Sequence, residues 1–105
     1  MNTIGKGRYR VFLKKIDMGN DKIYVIGGGE KSHIGGLVIC EPDKEHRIIS
    51  LEHHYDYQIL KPIAVEACKK YNTTCIAIGG IHIDEAKKSE IEIIIKNCKD
   101  LIKYI

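Results

Sequence analysis

The residues with chemical reach fall in three short segments. In Gly79-Gly80-Ile81-His82-Ile83-Asp84, an imidazole and a carboxylate stand two residues apart. Side chains alternate along an extended chain, so His82 and Asp84 share one face, with Cα atoms about 6.5–7 Å apart. The paired glycines let another backbone come close. This reads as a strand that presents a histidine and an acid at its C-terminal end, just before a helix, where ligands gather in sheets with parallel pairs. The plainer reading is a hydrogen-bonded structural histidine with Asp84 capping the helix.

The second segment runs from Gly27 to Gly36 and holds five glycines in ten residues, with His33 among them. Such a density costs conformational entropy and lets a backbone turn tightly. Free N–H groups at Gly27, Gly28 and Gly29 would form an anion-binding nest. The spacing is neither a P-loop nor a dinucleotide fingerprint, because no Gly-Lys-Ser/Thr follows and a strand, not a helix, comes next. A generous loop between strands is the structural alternative. The third segment is Glu52-His53-His54-Tyr55-Asp56-Tyr57, where histidine beside tyrosine at a strand-to-helix junction suits a phosphate or a flat ring, and an exposed polar turn is the rival reading.

His33, His54 and His82 with Asp84 would make a divalent-metal site only if three strand ends met; none of the spacings is a strong local metal motif. No nucleophile-elbow G-x-S-x-G is present around Ser32 or Ser50. The four cysteines, Cys40, Cys68, Cys75 and Cys98, form no C-x-x-C pair and sit at apolar positions, so they read as small buried hydrophobes.

Elements must bring these segments together. Arg8–Ile16 and Lys22–Ile26 read as strands around an Asp17–Asp21 hairpin loop; His33–Cys40 and His46–Leu51 follow as two more. Leu60, Ile63, Ala64, Ala67, Cys68 and Tyr71 recur on one helical face, and Asn72 ends that helix. Its start is open: Asp56 caps it with Pro62 inside, or Pro62 is its first residue. Thr74–Ile83 is apolar at both parities and reads as a central strand buried on both faces. Ile91, Ile94, Ile95, Cys98, Leu101, Ile102 and Ile105 form a second helical stripe, started by Ser89 with Glu92 or earlier by Asp84. The order β-β-β-β-α-β-α predicts an α+β fold, a mixed sheet with two amphipathic helices. The second sheet face then has no helix, which predicts a homodimer.

The chain has 105 residues, 44% of them apolar and 30% charged, with net charge +3 and pI about 8.6. This suits one domain over residues 1–105. No basic block suggests nucleic acid, no apolar run suggests a membrane span, and no secretory leader is evident, so a cytoplasmic protein is expected.

Taken together, Gly-Gly-Gly-Glu-Lys-Ser-His-Ile-Gly early and Gly-Gly-Ile-His-Ile-Asp late resemble the LpdD-like prenylated-flavin chaperone family. The first motif matches at His33, Ile34 and Gly35, with Ser32 in place of a common proline. The middle motif matches at His54, with His53 in place of glycine. The last matches at Gly80, Ile81, His82 and Asp84, with Gly79 in place of alanine, and Lys87 stands where threonine tends to start the helix. The resemblance implies a fold like the proteasome assembly chaperones, dimerising through the sheet. It implies prenylated FMN bound as cargo by Gly28, Gly29, His33, Gly35, His54, Gly80, His82 and Asp84. It implies delivery of the cofactor to, or assistance with its maturation in, a prenylated-FMN-dependent decarboxylase, with the flavin prenyltransferase as a candidate second partner and a chaperone role rather than an enzymatic one. The alternatives are a protein-assembly chaperone without cofactor and a small metal-dependent enzyme using His33, His54, His82 and Asp84.

Overall fold

Alternation builds the sheet. The computed structural model describes residues 1–51 and 56–105. Its strands are β1 (Asn2–Ile4), β2 (Val11–Met18), β3 (Asp21–Gly28), β4 (Lys31–Cys40), β5 (Arg47–Ser50) and β6 (Cys75–His82); its helices are α1 (Tyr57–Tyr71) and α2 (Lys88–Asp100). The expected α+β class stands, with one more strand than read from the sequence. Asn2–Ile4 is too short to show a period but pairs antiparallel with Val11–Leu13. The strand expected from Arg8 starts later, because Gly7–Tyr9 forms a single 3-10 turn with Gly7 at φ 58°. The expected five-residue hairpin loop is a two-residue turn, since Met18 already pairs with Asp21 and only Gly19 takes positive φ there.

The sheet order is β1-β2-β3-β6-β4-β5. The last strand in sequence therefore lies between β3 and β4, parallel to β3 and antiparallel to β4. Gly29 and Glu30 carry the chain from β3 to β4 across the C-terminal end of β6, where Gly29 pairs with His82. Gly79 makes the crossing with β3 possible: its φ is 138°, and a Cβ there would lie 1.8 Å from the Ile26 carbonyl oxygen.

Both helices cover one sheet face. Val11, Leu13, Tyr24, Ile26, Val38, Cys75 and Ala77 point to that side and are buried beneath Leu60, Ile63, Ala64 and Ala67 of α1 and Ile94 and Cys98 of α2. On the other face, Ile23, Val25, Leu37, Ile39, Ile76 and Ile78 are only half-buried and Ile16, Met18 and Ile49 are exposed. The expectation that β6 is buried on both faces is thus corrected: the chain by itself covers one.

The helix boundaries settle two open points. Pro62 lies inside α1, not at its start, so it removes the amide that would have bonded the Gln58 carbonyl. Asn72 ends α1 in the left-handed region, φ 48°. Neither Ser89 nor Asp84 starts α2: the cap is Lys87, whose N–H donates to Glu90 Oε1 at 3.0 Å. The four cysteines are free and buried, as expected for small apolar fillers.

Candidate functional site

The C-terminal ends of β3 and β6, a parallel pair, reach the same end of the sheet. There a groove of about 270 Å³ opens between β6, the start of α1 and α2. Its apolar lining is Ile59, Ile81, Ile83, Ala86, Ile91, Ile94 and Ile95, and its polar lining is His33, Asp56, Gln58 and His82. The helical stripe read from the sequence therefore divides its work. Ile94 is buried in the core, while Ile91 is 46% exposed along the groove.

His82 and Asp84 meet as the strand alternation requires, with His82 Nε2 2.9 Å from Asp84 Oδ1. His33 and His82 come together from β4 and β6: their rings stand edge to face with centroids 6.4 Å apart. Asp56 was expected only as a helix cap. Its carboxylate makes no cap bond; Oδ1 instead accepts the Ile81 N–H at 3.0 Å, and Oδ2 lies 3.6 Å from His33 Nε2. The sequence signal for this was present in the glycines. A Cβ at Gly35 would sit 1.9 Å from Asp56 Oδ2 and one at Gly80 would sit 2.9 Å from it. Gly35 in β4 and Gly80 in β6 therefore make the seat of the Asp56 carboxylate.

The glycine loop is placed differently from expectation. Gly28 and Gly29 have positive φ, but their N–H groups are engaged: Gly28 donates to Ser32 Oγ at 2.9 Å and Gly29 to the Arg10 carbonyl at 2.8 Å. Gly27 lies in the sheet, where a Cβ would strike the Phe12 ring. Gly28 and Gly29 line a separate hollow with Arg10, Phe12 and Ser32, so they do not join the groove as a phosphate nest. Tyr57 packs against the core and does not line the groove. Glu52, His53, His54 and Tyr55 lie outside the described residues, and with them the expected role of His54. Among the described residues, no three His, Cys, Asp or Glu side chains converge as a metal ion requires.

The groove can hold a flat, mostly apolar ligand whose one edge carries hydrogen-bonding groups. The isoleucines supply the shelf, and His33, Asp56 and His82 supply donors and acceptors. Among the described residues that line the groove, none is lysine or arginine. The fold is similar to a chain in the crystal structure of a chaperone complex for yeast 20S proteasome assembly, with 16% identity over 98% of this chain and 92% of that one and a TM-score of 0.57. Among curated proteins, none matches the sequence. Residues 5–105 match the family described as the prenylated flavin chaperone LpdD-like domain, which spans nearly the whole chain, and the protein therefore belongs to the LpdD-like prenylated flavin chaperone family.

Proposed function

We propose that the protein carries prenylated FMN as cargo and hands it to a decarboxylase that depends on it. The family supports a prenylated-flavin chaperone function. The observation that carries the site is the convergence of His33, Asp56 and His82 on one side of an isoleucine-lined groove. Ile91, Ile94 and Ile95 would offer an apolar surface to the prenyl-derived part of the cofactor, and His33 and His82 would offer hydrogen bonds to its polar groups. At about 270 Å³ the groove falls just below the usual range of ligand pockets, roughly 300–1,000 Å³, so it would enclose part of a nucleotide-sized ligand. A carrier gains from this: a cofactor held by one end keeps the other available to the receiving enzyme.

The chain acts as a homodimer through the uncovered sheet face. Six strands of 3 to 10 residues, at ~3.3 Å per residue and ~4.8 Å spacing, present roughly 650 Å². That approaches the ~800 Å² per partner of a standard interface once side-chain relief is added. Val25→Glu, in the middle of that face and half-buried, is expected to yield monomer in sedimentation velocity.

The cargo reading is tested by anaerobic titration with FMN and with prenylated FMN, followed by absorbance and thermal shift. A selective response to prenylated FMN that weakens in His82→Ala supports it. Equal affinity of wild type and His82→Ala removes His82 from the site. No response to either flavin overturns cargo carriage and leaves a polypeptide-binding chaperone as the reading to pursue.

A further inference from the structure

Asp84 lies two residues past the body of its strand, in a turn that should move freely. Its side chain is 75% exposed and that of His82 54% exposed, so packing does not orient either. The next residue, Glu85, has φ 49°, a left-handed conformation that costs a non-glycine residue about 1 kcal/mol. Something outside the turn has to hold it.

That hold comes from the arch between β3 and β4. The Glu30 N–H donates to the His82 carbonyl at 2.8 Å. Glu30 Oε1 accepts the Asp84 N–H at 2.9 Å. Arg8 closes the frame: one Nη2 donates to the Asp84 carbonyl and lies 3.3 Å from Glu30 Oε1. The Asp84 backbone is thus gripped at both its N–H and its C=O, and its carboxylate is left to accept from His82. Arg8 also faces Glu90 at the start of α2, with Nε 3.7 Å from Oε2, and the Tyr9 hydroxyl donates to the same carboxylate at 2.7 Å. Arg8 Nε is buried without a hydrogen bond, which fits a guanidinium placed for what its other nitrogens hold.

We infer that Glu30, backed by Arg8, is a positioning residue: it sets the His82–Asp84 pair at the mouth of the groove by fixing the turn that carries them. This rests on the cargo reading. Glu30 touches no ligand in that scheme and acts only through the 82–84 backbone. The role requires an acceptor oxygen at residue 30, not a negative charge, so Glu30→Gln keeps it and Glu30→Ala loses it.

The test compares wild type, Glu30→Gln and Glu30→Ala by amide hydrogen exchange at Asp84, by anaerobic titration with prenylated FMN and by thermal midpoint. In Glu30→Ala the Asp84 amide is expected to exchange about tenfold faster and affinity to fall about tenfold, equivalent to one hydrogen bond of ~1.4 kcal/mol. Glu30→Gln is expected to stay within about threefold of wild type on both. The thermal midpoint reports any unfolding directly. A wild type and a Glu30→Ala variant that bind equally overturn the positioning role while the cargo reading stands. Equal Asp84 exchange in those two proteins overturns the grip itself. A wild type that binds neither flavin overturns the cargo reading and the role of Glu30 with it.

Discussion

Gly35→Ala probes the site without touching a polar group. Residue 35 has no positive φ, so alanine is allowed there, and the lower entropy of its unfolded state favours folding by about 0.4–1 kcal/mol. Against that, the new Cβ would lie 1.9 Å from Asp56 Oδ2 and 2.8 Å from Cγ, so the carboxylate must leave its seat. The Ile81 N–H then loses a charged acceptor, worth roughly 1.5–3 kcal/mol. The balance is a loss of about 1–2 kcal/mol. For a domain of this size that lowers the thermal midpoint by roughly 5–10 °C. The assay is urea unfolding of Gly35→Ala, Asp56→Ala and the double variant, with prenylated FMN titrations alongside. In the Asp56→Ala background, Gly35→Ala should cost almost nothing, because the next obstacle is His33 Cε1 at 3.2 Å. The coupling energy should be about 1–2 kcal/mol. Equal costs of Gly35→Ala in the two backgrounds would refute the reasoning, since the glycine would then not be there for Asp56.

Tyr24 is wholly buried and its hydroxyl has no hydrogen-bond partner among the described residues, so Tyr24→Phe should raise stability by about 1 kcal/mol in urea unfolding. Glu90 is held below the ordinary carboxylate value of 4.5, first by the Lys87 N–H and then by the Tyr9 hydroxyl. Its contribution is complete above that value and is lost as pH falls through the lower folded value, so wild type should lose thermal midpoint more steeply than Glu90→Gln below pH 4.5. Burial pushes the Cys98 thiol up to about 12, and burial with the neighbouring Cys40 raises Cys68. Native protein should therefore resist alkylation at pH 8, with the four thiols appearing only on unfolding; rapid modification of Cys98 in the native state would contradict its burial.

Local chemistry was legible in the sequence and long-range placement was not. The 3.6-residue recurrence of Leu60 to Tyr71 and the stripe from Ile91 to Cys98 mark both helices, because each helix buries a face and the period records it, while Leu101, Ile102 and Ile105 of the same stripe fall past the end of α2, in and after a 3-10 turn. Alternation joins His82 to Asp84 for the same reason. Asp56 escaped because its role is set by Ile81, 25 residues away, and by two glycines on different strands. Its position before a helix pointed to the common local use of aspartate instead. Gly28 and Gly29 misled in the opposite sense: glycine reports that the backbone turns, but not whether its N–H groups remain open. The place of β6 between β3 and β4 has no local signature, since strand order is decided by pairing across the chain.

That insertion has a consequence in time. During synthesis β3 and β4 emerge joined by Gly29 and Glu30, antiparallel and with facing edges open, while the strand that separates them begins only some 35 residues later. A direct β3–β4 hairpin would occupy the edges that Cys75–His82 takes in the native sheet, and a hairpin forms in microseconds. A nascent chain that has not yet closed around β6 brings neither His82 nor the Ile81 amide to its partners. The groove therefore exists only in a finished molecule.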